Sequence, residues 1–186
     1  MAEIPTAPAV ARRLADELEL LAVPYAIGGA IAYGLHAPPR ATNDVDLNIF
    51  LEPDQLDPAF TALENAGASL DRRSARQSAA GRGDFAVKVD GMRVDVFTIS
   101  IPLSRAAASR TRRGVLLGRP IMVLSAEDLV LFKLLFLRAK DISDVKRLVA
   151  FQAGALDRGY VRGWLVDLVG EDDERTALWD SLVAQE

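Results

Sequence analysis

Residues Asp44 to Phe50 alternate strictly, with Asp44, Asp46 and Asn48 on one side and Val45, Leu47 and Ile49 on the other. Side chains of a β-strand point to opposite faces in turn. The run therefore reads as a strand with one buried apolar face and two carboxylates on the other. Residues two apart on a strand stand about 7 Å apart. Like charges set side by side need a cation, and a divalent ion bridging them relieves the repulsion. The chain has no cysteine and a single histidine, His36. Disulfides, thiol nucleophiles, thiolate zinc sites and poly-histidine sites are thereby excluded. Any metal must be held by oxygen, which favours Mg2+ or Mn2+. For an isolated Asp-x-Asp, the plainer alternative is a solvent-exposed acidic edge.

A third carboxylate and a glycine pair narrow the reading. Asp95 lies within Arg93-Val-Asp-Val-Phe97, where Val94 and Val96 face away from it. Aspartate is depleted in strands and costly to bury unless paired or bound to metal, so its alternative is an edge-strand position. Upstream, Tyr25 to Ile27 reads as a short buried strand running into Gly28-Gly29, with a helix from Ala30 to Leu35. At such a junction the missing Cβ atoms let backbone N–H groups approach phosphate oxygens, although a Gly-Gly is more often a plain turn.

Around these segments the patterns predict an amphipathic helix over residues 7–21, a helix over 53–66 and a hairpin of 85–89 with 92–99 turning at Asp90-Gly91. Short strands are expected at 115–117 and 121–124, followed by helices at 125–139, 141–153, 158–169 and 172–184. Ser125 with Asp128 has the spacing of a capping box. The expected architecture is α/β (α+β): a small mixed sheet flanked by helices over 1–124, then a helical C-terminal subdomain over 125–186 packed on it.

The stretch Ile27 to Leu47, with Gly28-Gly29, Arg40-x-Thr42 and Asp44-x-Asp46, resembles the nucleotidyltransferase (polymerase-β-like) superfamily. It is especially similar to the minimal bacterial members related to the AbiEii abortive-infection toxins. Leu134 to Leu148, containing Arg138-Ala-Lys-Asp141-Ile-Ser-Asp144, looks like that group's helical motif, so the resemblance covers residues 20–150. It implies the nucleotidyltransferase fold and an enzyme that moves a nucleoside monophosphate from an NTP onto an acceptor hydroxyl or phosphate. By the same resemblance Gly28 and Gly29 hold the β- and γ-phosphates, and Asp44 and Asp46 ligate Mg2+ (or Mn2+). Asp95 then completes the metal site and acts as the base. Many family members carry Gly-Ser where this chain has Gly28-Gly29, which removes a hydroxyl contact to phosphate. AbiEii-type likeness further implies RNA such as tRNA as acceptor and a cognate antitoxin as partner. Aminoglycoside and lincosamide adenylyltransferases share the glycine-to-carboxylate layout and give a second reading. A nucleotide-binding module or partner protein without turnover gives a third.

Other residues divide between local and functional roles. Arg40 suits a bidentate phosphate clamp or a resting pair with Asp44 or Asp46, and Thr42 suits the nucleotide loop or a local cap. Lys133 stands in the apolar run Leu129 to Leu137 and must either snorkel to water or reach a nucleotide phosphate. Asp141 and Asp144 read as a helix N-cap and first-turn acid, with Asp144 and Lys140 second-rank nucleotide contacts by resemblance. His36 reads as a partly buried packing residue, and Trp164 and Trp179 as core or the face of a homodimer. Eighteen of the 22 basic residues are arginine, clustered at 72–82 and 105–119. These stretches suit solvated loops or a grip on an RNA backbone. With half the 186 residues hydrophobic and a net charge of −4, the chain is neither disordered nor broadly basic. No apolar run reaches the roughly 20 residues of a membrane span, and Met1-Ala-Glu-Ile-Pro5 has no secretion pattern, so a cytoplasmic protein is expected.

Overall fold

The computed structural model describes residues 5–152 and 154–184. By internal packing they fall into two compact units. One holds the described residues up to Ala32 together with Arg40–Leu124, and the other holds Tyr33–Pro39 and the chain from Ser125 onward.

The first unit is built on a seven-stranded mixed sheet. Its strands are β1 (Tyr25–Ile27), β2 (Asp44–Ile49), β3 (Ala68–Ser69), β4 (Asp84–Val89), β5 (Met92–Phe97), β6 (Arg112–Leu116) and β7 (Arg119–Val123), in the order β3-β4-β5-β2-β1-β7-β6. β2 lies centrally, antiparallel to β1 and parallel to β5. The alternation at 44–49 fixes its register: Val45, Leu47 and Ile49 are fully buried, as are Val94 and Val96 beside them. Fully burying each such side chain stabilises the fold by roughly 1.5–3 kcal/mol. A slip of one residue would exchange Val45 and Leu47 for Asp44 and Asp46, so the apolar face holds the carboxylates on the other side. Helices α1 (Ala7–Leu20) and α3 (Asp57–Asn65) pack together, and α1 reaches β1, β2 and β7. Two tight turns close the hairpins. Asp90-Gly91 and Leu117-Gly118 all have positive φ, and Leu117 is the costlier residue to hold there.

Three segments differ from the sequence expectation. The helix expected over 53–66 is a short 3-10 turn at Pro53–Gln55 followed by α3, because Pro58 has no N–H to donate back across the junction. The arginine stretch at 72–82, expected as a loop, is helix α4 (Arg72–Arg82). Asp71 caps it, accepting from the N–H groups of Arg73 and Ser74, and Gly83 ends it at φ +81°. Arg72 and Arg76 lie over the Phe60 ring and pair with Glu64 and Asp57, so their positive charge is spent within the fold. In the second arginine stretch, Arg105 falls on helix α5 (Pro102–Ala108), while Arg112, Arg113 and Arg119 fall on β6 and β7. Arg105 pairs with Glu52, and Arg119 with Asp16.

Helix α2 (Gly29–His36) runs from the first unit into the second, where its last residues join α6 (Ala126–Phe136), α7 (Ala139–Gln152), α8 (Arg158–Val169) and α9 (Glu174–Val183). Ser125 caps α6 as its spacing predicts, accepting from the Asp128 N–H at 3.1 Å. Leu131, Leu134, Val145, Leu148, Val161, Leu165 and Trp179 form the buried centre of this unit. Trp164 is half-buried and meets the Tyr160 ring edge-on, and His36 is likewise half-buried. Among the described residues no helix is long and apolar enough to cross a membrane.

Candidate active site

The Gly28-Gly29 bend is set directly against β2. β1 ends at Ile27, the Gly28 N–H donates to the Asp46 carbonyl at 2.8 Å, and Gly29 opens α2 at φ +52°. A Cβ on Gly29 would lie 1.6 Å from Asp46 Oδ2 and 2.5 Å from its Cγ, distances no side chain can adopt. On Gly28 it would meet Asn48 Nδ2 at 2.8 Å. The bend is thus a cradle that only glycine leaves open beside the Asp46 carboxylate, combined with the left-handed conformation glycine tolerates.

Register brings the three sequence-predicted acids together. Asp46 is the direct partner of Asp95 across the parallel β2–β5 ladder, and Asp44 is partnered with Arg93. Neighbouring strands are about 4.8 Å apart, so Asp44, Asp46 and Asp95 form a compact acidic patch on one half-exposed face. Asp44 is steadied by the Thr42 hydroxyl, which donates to Asp44 Oδ1. Asp95 is held by a fork: Arg93 Nη2 donates to Oδ1 at 2.5 Å and Nε to Oδ2 at 3.0 Å. The guanidinium is pushed further toward its charged form by these bonds and by the Asp95 charge, with smaller contributions from Asp44 and Asp46. All three carboxylates therefore act on one cation. Arg40 is half-buried on the segment entering β2, where its Nη1 reaches the Ala41 carbonyl at 3.5 Å.

Among the described residues, no three His, Cys, Asp or Glu side chains converge as a ready-made metal cage. Both oxygens of Asp95 face Arg93, and Asp44 is turned to Thr42. The donors themselves fit a hard divalent cation, being three carboxylates in adjacent registers beside an open backbone cradle.

Lys133 and Asp144 pair within the second unit. Lys133 is buried at 5% exposure, so of its two sequence alternatives the snorkel to solvent does not hold. Its ammonium donates to Asp144 Oδ2 at 2.7 Å and lies 3.5 Å from Asp141 Oδ1. Asp141 in turn accepts from Arg138 Nε at 2.5 Å, and the Arg138 guanidinium covers the Phe136 ring at 4.9 Å. The helix-cap reading of Asp141 is also corrected. α7 begins at Ala139, which places Asp141 in its first turn and Asp144 in its second. Both acids are buried there to compensate Lys133.

Arg93 is the residue that sequence reasoning passed over. Its signal was its spacing, since a residue two before Asp95 on the same strand shares its face.

Neither a family model nor a curated protein matches this sequence. Solved structures do match in fold. The crystal structure of ANT(2'')-Ia in complex with adenylyl-2''-tobramycin superposes with a TM-score of 0.61 at 13% identity, covering 96% of this chain and 97% of that one. Lincomycin-bound LnuA, a lincosamide antibiotic adenylyltransferase, gives 0.52 at 17% identity over 73% of this chain and 92% of its own. An antigenic nucleotidyltransferase-like protein from Paracoccidioides brasiliensis gives 0.50 at 18% identity, covering 93% and 91%. The chain has the fold of these nucleotidyltransferases, a seven-stranded mixed sheet with helices around and after it.

Proposed function

We propose that the protein is a metal-dependent nucleotidyltransferase, transferring a nucleoside monophosphate from an NTP to an acceptor hydroxyl with release of pyrophosphate. One observation carries the reading: Asp44, Asp46 and Asp95 share a sheet face in adjacent registers while the Gly28-Gly29 cradle rests on Asp46. We assign catalysis to the sheet-bearing unit within residues 1–124, and a supporting role to the helices of 125–186.

Asp44, Asp46 and Asp95 would hold Mg2+ or Mn2+, which lowers the pKa of an attacking hydroxyl and neutralises charge on the triphosphate and on the departing pyrophosphate. The chain's own residues do the rest. The Gly29 N–H, at the positive end of α2, donates to phosphate oxygens, while Gly28, whose own N–H is held by the Asp46 carbonyl, leaves the approach clear of a side chain. Arg40 adds a guanidinium to the same phosphates, and Thr42 keeps the Asp44 carboxylate oriented. Asp95 takes the proton of the acceptor hydroxyl on a carboxylate oxygen.

Two acceptors follow from different observations. Similarity of the Ile27–Leu47 and Leu134–Leu148 motifs to AbiEii-type toxins supports RNA such as tRNA, with a cognate antitoxin as partner. Likeness of fold to the tobramycin and lincomycin structures over most of each chain supports the hydroxyl of a small antibiotic. The test is incubation of the protein with each labelled NTP, Mg2+ and, in parallel, total RNA, tobramycin or lincomycin. Label on RNA alone selects the first acceptor, and label on a drug alone selects the second. NTP binding without transfer to any of them rejects the enzymatic reading in favour of a binding module.

A further inference from the structure

The acidic patch carries its own counter-cation. Arg93 stands on the same face of β5 as Asp95, two residues before it, and is the direct register partner of Asp44. Its fork occupies both Asp95 oxygens. A metal ion shared by these acids needs the oxygens that Arg93 holds, and it brings positive charge to a place where a guanidinium already sits. Arg93 is 62% exposed at its side chain against 26% for Asp95. The guanidinium can therefore swing into water without being stranded in the interior, and exposed pairs of this kind are weak.

Building on the metal-dependent reading above, we infer that Arg93 is a positioning residue: it tethers Asp95 in the ion-free protein and competes with the divalent cation for that carboxylate. Fork and ion are alternatives at Asp95. Arg93 keeps three neighbouring acids from repelling one another while the site waits, and it sets how much free cation is required to open it.

The probe is Mn2+ alone, followed by the electron paramagnetic resonance signal of the free ion. It is titrated into the full chain and the variants Arg93→Gln, Lys88→Gln, Asp46→Asn, Asp95→Asn and Arg93→Gln/Asp95→Asn. Lys88 is the register partner of Arg93 on β4, so its substitution removes a charge from the same face without touching the fork. Arg93→Gln is expected to tighten Mn2+ binding by about two- to fivefold, in keeping with an exposed ion pair. Lys88→Gln should change it less, and the Arg93 effect should shrink to the Lys88 level when Asp95 is already Asn. An Arg93→Gln affinity equal to the native one, or a gain that persists undiminished in the Asp95→Asn background, overturns the tether. The metal reading survives that result as long as Asp46→Asn abolishes Mn2+ binding. Absence of Mn2+ binding in the native chain and in every variant overturns both.

Discussion

The molecule solves one electrostatic problem twice, in opposite ways. On the sheet, Arg93 meets Asp95 with side chains 62% and 26% exposed. In the helical unit, Lys133 meets Asp144 and Asp141 with side chains 6%, 4% and 1% exposed. Water screens the first pair and can receive either partner, so its contacts exchange at little cost. The second group has no such outlet, and each charge depends on the others. A cation that can leave its carboxylate suits a place where ligands come and go. One that cannot leave defines a packed interior.

The contrast is tested most strongly by removing the buried cation. Lys133→Met takes the buried lysine from Asp144 and leaves Asp141 with Arg138, and it is expected to lower unfolding free energy by about 3–5 kcal/mol in urea titration. Replacing Asp144 by Leu and Asp141 by Asn as well should recover much of that loss. A cost below about 1 kcal/mol for Lys133→Met would erase the distinction between the two regions.

Next in size is Gly29→Ala. The left-handed backbone costs a non-glycine residue roughly 1–2 kcal/mol, and the new Cβ must displace the Asp46 carboxylate as well. A loss of about 2 kcal/mol or more is expected, with a milder effect for Gly28→Ala, whose Cβ meets the movable Asn48 amide. Asp95→Asn should fall lower still, within about 1 kcal/mol of the native chain, since it breaks only an exposed pair and relieves repulsion from Asp46. Stability falling as far for Asp95→Asn as for Lys133→Met would mean that the sheet face is structural too.

The smallest effect concerns the exposed Arg72–Glu64 pair. Hydrogen bonding to Arg72 holds the Glu64 carboxyl below its ordinary range. A group depressed in the folded state stabilises above its unfolded pKa, and that contribution fades as pH falls through the folded value. The urea midpoint of Glu64→Gln should thus sit slightly below native at neutral pH and converge with it under acid conditions. Convergence at high pH instead would reverse the sign.

How much of this was legible in the sequence follows from what each signal depends on. The β2 strand, the Asp90-Gly91 hairpin and the Ser125 cap were readable because periodicity and turn chemistry act over a few residues. The juxtaposition of Asp46 with Asp95 was foreseen as a shared chemistry, but its register comes only from pairing strands 49 residues apart in the chain. α4 was missed because it buries only Ala75 and Ala79 and is held by its Asp71 cap and by arginines lying on Phe60, a long-range partner. The snorkelling alternative for Lys133 fails for a related reason. A lone lysine in an apolar run points to an outlet, and its actual partners sit on the next helix.

We propose above that the three aspartates and the glycine cradle perform nucleotidyl transfer. The most direct test is the rate of label transfer from NTP in Mg2+ by the native protein and by Asp46→Asn, measured side by side with their urea midpoints. Labelled product is expected from the native chain, with a fall of about a hundredfold or more in the variant and the midpoint nearly unchanged. Transfer by Asp46→Asn at the native rate would contradict it.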